Sequence, residues 1–202
     1  MERSPRPLPC RTDIPVCPIL KAYVSQIKKT KDTNVWPTFM IIGIVAVDQN
    51  GAIGKGGKLP WHYSADMKFF KETTTGHACV MGYKTWLTLK RPLPNRLNIV
   101  LSRQSEIEAQ ESVVVMRSVE SVLNLAKDSE RDLFVIGGEQ VYRAFLAHID
   151  RWLVTEVPLT IDGADTFVPA DYLDGFTSIG VQQLEENLIV RTYERTPSSS
   201  RT

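Results

Sequence analysis

The 202-residue sequence is poor in the residues that staple small folds or hold metals, with three cysteines and three histidines. Cys10, Cys17 and Cys79 are odd in number, so they make no self-contained disulfide framework. With His62, His77 and His148 they show no four-ligand zinc spacing, and a reducing cytoplasm suits them best. Charge of one sign is also lacking. Lys and Arg number 24 against 23 Asp and Glu, a net of +1, without the basic excess by which nucleic-acid binders neutralise phosphates. No apolar run, including the stretch from Met40 to Val47, approaches the ~20 residues that cross a bilayer, and no apolar core of a secretion signal is present. These absences argue against membrane-spanning, secreted, metal-held and nucleic-acid-binding classes; only Cys10 and Cys17 could in principle share a metal. An ordinary globular domain remains, 43% hydrophobic and 23% charged.

The near-zero charge hides a division. Residues 1–39 hold seven Lys or Arg, three Asp or Glu and six of the twelve prolines, at 5, 7, 9, 15, 18 and 37. Proline removes backbone donors and blocks helix, so a basic, disordered extension with no core of its own is expected over 1–39, with at most a short helix at Lys21 to Lys31. The folded domain is expected over 40–196, followed by a flexible tail at 197–202.

From Met40 onward, short β-rich runs alternate with helical periodicity. The pattern predicts strands at Met40–Val47, His77–Met81, Leu97–Leu101, Ser112–Met116, Asp132–Ile136, Arg151–Val157, Phe176–Gln182 and Leu188–Glu194. Helices are predicted at Ala65–Thr74, Lys84–Leu89, Val119–Lys127 and Glu139–His148. Such alternation implies right-handed crossovers: a single α/β domain with a mostly parallel eight-stranded sheet, four flanking helices and a closing antiparallel hairpin.

In such a sheet, ligands bind where strands end. Three of these junctions suit phosphate. Gly82-Tyr83-Lys84-Thr85 joins a glycine to a helix start with a cation and a hydroxyl, Ser102-Arg103 offers a hydroxyl and a guanidinium, and Gly137-Gly138 opens another helix. Each alone is more often a tight turn than a phosphate site, and the dinucleotide fingerprint of three spaced glycines is absent. Asp66 lies in a predicted first helical turn behind Ser64, a good N-cap, with Phe70 one turn on. Helix-dipole placement accounts for that carboxylate as well as ligand binding does. Arg91 and Arg96 flank a proline-rich loop in which one of them could clamp a carboxylate.

Taken together, these segments resemble the dihydrofolate reductase family. They are Ile44-Val45-Ala46-Val47 leading to Ile53-Gly54, then Leu59-Pro60-Trp61, Asp66, Met81 to Trp86, Arg91 to Arg96, Leu101-Ser102-Arg103 and Ile136 to Tyr142. The resemblance covers residues 40 to 196 and implies NADPH-dependent reduction of 7,8-dihydrofolate to 5,6,7,8-tetrahydrofolate by a monomer, with hydride going to pterin C6 and a proton to N5. It makes Asp66 the single active-site carboxylate and Thr155 its hydrogen-bonding partner. Val45 and Ala46 would meet the pterin, Met67, Phe70, Leu89 and Leu93 would wall the substrate, and Arg96 would clamp its glutamate carboxylate. For NADPH it implies Ala46, Ile53 and Gly54 near nicotinamide, Lys84 and Thr85 at pyrophosphate, and Ser102 and Arg103 at the 2'-phosphate. Ile136, Gly137, Gly138, Gln140 and Tyr142 would line the cofactor side, with a cis peptide bond at Gly137-Gly138. Tyr83 and Ala164 depart from many relatives, and the glycines of Gly54-Lys55-Gly56-Gly57-Lys58 predict a more mobile lid. Two other readings compete: the pyrimidine reductase of riboflavin synthesis, which has no use for Asp66 in a Leu-Pro-Trp-led helix, and a non-catalytic dinucleotide sensor.

Overall fold

The computed structural model describes residues 39–196 apart from 105, 106, 109 and 130. The expected extension, its helix at Lys21 to Lys31, Cys10, Cys17 and the tail at 197–202 lie outside the described residues. Among the described residues there are ten strands: β1 (Ile41–Val47), β2 (Ala52–Gly54), β3 (Ala78–Gly82), β4 (Leu97–Leu101), β5 (Val113–Met116), β6 (Leu133–Val135), β7 (Arg151–Glu156), β8 (Thr166–Phe167), β9 (Phe176–Gln183) and β10 (Ile189–Arg195). Four helices accompany them, α1 (Ser64–Thr74), α2 (Tyr83–Thr88), α3 (Val119–Ser129) and α4 (Glu139–Phe145).

Eight strands form one sheet in the order β5-β4-β3-β6-β1-β7-β10-β9. The pairs from β5 through β7 are parallel, and β10 and β9 add antiparallel edges. The central strand β1 reads Ile-Ile-Gly-Ile-Val-Ala-Val, and all but Ala46 is buried, as expected where helices cover both faces. Gly43 has a packing reason: it pairs with Trp152 of β7, and a methyl group there would lie 2.3 Å from the Trp152 ring. The fully buried indole in turn meets Tyr172 edge to face at 5.3 Å.

The expected strands of the main sheet are all present, with ends shifted by a residue or so. The short pair β2 and β8, a separate antiparallel ribbon, had no period long enough to read. The helix expected to reach His148 stops at Phe145. There Arg195 of β10 intervenes, donating to the carbonyls of Leu146 (2.6 Å) and Ile149 (2.8 Å) and stacking on Phe176. Val141, Phe145 and Ile149 are nonetheless all buried.

Candidate active site

The parallel strands all end at one edge of the sheet, and the chemistry-bearing residues gather there. Ala46 of β1 and Thr155 of β7 are register partners, the latter buried and bonded to the Asp66 carboxylate on the first turn of α1. Burial pushes the pKa of Asp66 up; the Thr155 hydrogen bond opposes this and does not cancel it. Tyr142 is close enough for the charge on Asp66 to raise its phenol further, burial being the larger cause. That phenol donates to the Ile44 carbonyl at 2.8 Å, so Tyr142 is a buried prop under β1.

Along α1, Phe69 and Phe70 pack against Ile42, Ile44, Cys79 and Phe134, joined by Leu93 and Ile136. Val45 is buried, Leu89 is half-buried, and Met67 and Leu59 are exposed apolar side chains. Arg96 is only 3% exposed. Its Nη1 donates to Thr74 Oγ1 at 2.8 Å, its Nε to the Pro94 carbonyl, and its guanidinium sits 5.8 Å from the Phe70 ring centre. The group is therefore fixed from two sides, while Arg91 is exposed.

Ser64 does not cap α1. Tyr63 takes the N-cap position without a side-chain hydrogen bond, and the capping acceptor is Glu186 of the β9–β10 turn, reached by the Ala65 N–H at 2.8 Å. A partner 121 residues away leaves no local sequence signal. Trp61, packed beside Ala65 and Leu188, keeps its Nε1 buried without a partner among the described residues.

On the cofactor side, the Gly82 N–H donates to the Gly137 carbonyl at 2.8 Å, and Gly138 faces Thr85, whose Oγ1 would be 3.5 Å from an added methyl. The Gly137-Gly138 peptide bond is cis. Gly82 and Gly138 are the N-caps of α2 and α4 and make no side-chain cap hydrogen bond. Lys84 and Gln140 are exposed and Thr85 half-buried beside them. At the ends of β4 and β5, Ser102 pairs with Met116, Arg103 is exposed, and Arg117 donates to the Ser102 carbonyl at 2.9 Å. Nothing local in the sequence marks Arg117; its place beside Ser102 follows from the pairing of β5 with β4. The sheet order puts β3 and β6 between β4 and β1. Three strand spacings, about 14 Å, thus separate the Ser102 end from the Ala46 end, with the glycine pair between them. An extended dinucleotide fits that span.

The glycine-rich lid is a two-residue hairpin turn in which Lys55 and Lys58 exchange backbone hydrogen bonds and Gly56 and Gly57 take positive φ (58° and 72°). Asp165 accepts from the Gly56 N–H at 2.7 Å and Lys55 donates to the Asp162 carbonyl, so the loop after β7 holds the turn that follows Ile53 and Gly54. At its base, Asp48 is 4% exposed and accepts from the N–H groups of Asn50, Ala52 and Ile161. These backbone bonds outweigh the effect of burial and hold its pKa below the usual carboxylate value. A depressed folded pKa stabilises the protein above the unfolded pKa, and that stability is lost as pH falls through the folded one. Asp48→Asn, which turns an amide toward backbone donors, is expected to cost about 1–3 kcal/mol at neutral pH. Urea titrations should show this difference from the parent shrinking in acid below the ordinary Asp range.

An open α/β sheet whose parallel strands end at one edge, with a half-buried carboxylate there, has the layout in which α/β enzymes bind their ligands. Comparison with known proteins narrows the class. The dihydrofolate reductase family profile matches residues 40–194. Dihydrofolate reductase of Mycobacterium leprae is 41% identical over 145 residues, covering 70% of this chain and 86% of that one. The type 3 dihydrofolate reductase of Salmonella typhimurium is 40% identical over 149 residues, covering 73% and 87%. Among solved structures, dihydrofolate reductase from Enterococcus faecalis complexed with NADP(H) and RAB-propyl superposes with a TM-score of 0.68 at 34% identity, covering 77% of this chain and 96% of that one. The chain belongs to the dihydrofolate reductase family.

Proposed function

We propose that Asp66 is the acidic group of the reaction and that Ala46, Thr155, Arg96 and the glycine pair arrange its ligands. The activity is the NADPH-dependent reduction of dihydrofolate to tetrahydrofolate. The observation that carries the reading of the site is the half-buried Asp66 carboxylate, bonded to Thr155 next to the end of β1. Burial gives it a raised pKa, which suits a group that holds the pterin N3 and 2-amino donors while supporting protonation at N5. NADPH, when bound, supplies the hydride for C6. The residues fit that cofactor: uncapped helix starts at Gly82 and Gly138 and the cations Lys84, Arg103 and Arg117 suit its phosphates. Ile53 and Gly54 close over the nicotinamide end, and Ile136, Gln140 and Tyr142 support that side.

On the substrate side, Val45 and Ala46 present backbone to the pterin, while Met67, Phe70, Leu89 and Leu93 form the apolar wall. Arg96, fixed by Thr74 and Pro94, receives the glutamate carboxylate. Arg96→Leu is expected to raise the dihydrofolate KM by about 10- to 100-fold, the worth of a charge-assisted hydrogen bond, with a smaller change in kcat. Steady-state kinetics and NADPH titration check this; lost NADPH affinity with dihydrofolate affinity intact would contradict the placement. The decisive assay follows oxidation of NADPH with dihydrofolate as acceptor. Retained NADPH binding without turnover would favour the sensor reading. Among the described residues no helix is long and apolar enough to cross a membrane. We read the compartment as the cytoplasm, a reading in keeping with the free, buried thiol of Cys79.

A further inference from the structure

The hairpin turn between β9 and β10 makes an unusual choice of residue. Glu186 and Asn187 both have φ of 59°, a left-handed conformation that favours Gly, Asn and Asp. Asn187 fits it; Glu186 does not. What a glutamate adds is reach, for its Oε2 accepts from the Ala65 N–H at 2.8 Å and from the Ser64 hydroxyl at 3.1 Å. Leu188, fully buried two residues on, packs with Ala65 and Val157, so the turn is clamped to the start of α1 by an apolar contact and a charged one.

Asp66 occupies the third position of the same helix. An acidic side chain there ordinarily folds back onto the free N–H groups of the first turn, as in a capping box. In this protein Tyr63 gives no side-chain cap, and the acceptor at Ala65 comes from Glu186. The Asp66 carboxylate bonds Thr155 instead. We propose that Glu186 is a positioning residue: by capping α1 from the neighbouring hairpin it relieves Asp66 of that task and keeps its carboxylate turned toward Thr155 and the substrate. This rests on the reading of Asp66 as the reacting acid.

The test uses Glu186→Ala and Glu186→Gln in the full chain, with Asp66→Asn alongside. In Glu186→Ala the free N–H groups recruit Asp66. The dihydrofolate KM should rise about five- to tenfold, as for a lost cap. The apparent pKa of the hydride-transfer profile should fall, because N–H donors favour the charged carboxylate. NADPH affinity should not move, and Glu186→Gln, which keeps an acceptor oxygen, should recover most of the KM. A lower Tm with KM and pH profile unchanged overturns the proposal, as does a Gln variant no better than the Ala variant. If Asp66→Asn keeps full turnover, the reading of Asp66 and this proposal fall together. If Asp66→Asn is inactive and Glu186→Ala is kinetically normal, only the proposal fails.

Discussion

Asp66→Asn is expected to lower turnover with dihydrofolate about 10²- to 10⁴-fold at neutral pH, the range over which a positioned acid or base acts, while leaving NADPH affinity unchanged. The asparagine keeps the size of the side chain and an acceptor for Thr155 but carries no charge and no titratable proton. The pH profile of the parent should therefore contain a transition, displaced above the usual carboxylate range by burial, that the variant lacks. The stability change should run the opposite way. A carboxyl whose folded pKa is raised above its unfolded value loses stability for the fold as pH rises through that interval, so at neutral pH the charged Asp66 is a cost to folding. The variant should melt at or above the parent temperature at neutral pH, and the gap should close in acid. Full activity, or a lower Tm at neutral pH with the gap widening in acid, would remove Asp66 from the role given to it.

A second large effect is expected from Gly137→Ala. Gly137 has φ of 99°, where an L side chain is strained, and an added methyl would sit 2.9 Å from the Tyr142 ring and 3.1 Å from its hydroxyl. That ring cannot recede: Tyr142 is 3% exposed and packs 5.5 Å from Trp152. Backbone strain of about 1–3 kcal/mol and overpacking of a similar size combine to several kcal/mol, a large share of the roughly 5–15 kcal/mol of a typical domain. Relief by moving Tyr142 would break its hydrogen bond to Ile44, just before Val45 and Ala46. Either route disturbs the cofactor track, so chemical denaturation should report a large loss of stability and titration a loss of NADPH affinity. A variant with parental stability and NADPH binding would show that the chain can shift there freely.

What could be read in the sequence divides along the distance over which each feature is determined. The strands of the main sheet announced themselves as continuous apolar runs between turn residues, and helices such as Val119–Ser129 by three- and four-residue spacing. Local residues single out Asp66 and the Arg91 to Arg96 loop, but they leave the carboxylate equally explained by the helix dipole and the choice of arginine open; the family resemblance alone assigns roles to Asp66 and Arg96. What sequence did not reveal is fixed by partners far along the chain. The cap of α1 arrives from Glu186, so Ser64 looked like the capping residue because only its neighbours were visible. Asp48 drew no expectation from the sequence, because its bond to Ile161 depends on the register of β1 with β7. The two-residue β8 was too short to carry any period. The burial of Arg96 follows from Thr74 and Phe70, two residues of α1, whose aromatic side chains pack against β1, β3 and β6, and nothing near Arg96 in the sequence anticipates that.

The sheet order also governs how the molecule can be made. Strand β1 lies between β6 and β7, pairing Ile41 with Leu133 and Val47 with Glu156. Its seven residues contain no charge and no proline, and nothing in the next eighty residues pairs with them in the main sheet. At the ordinary rate of about 5–20 residues per second, a ribosome needs roughly 5–20 seconds to carry the chain from β1 to the end of β7. For that interval an uncharged, proline-free apolar strand is outside or leaving the exit tunnel without its partners. Yield in the cell should therefore depend on translation speed and on holding chaperones more than the stability of the finished fold would suggest.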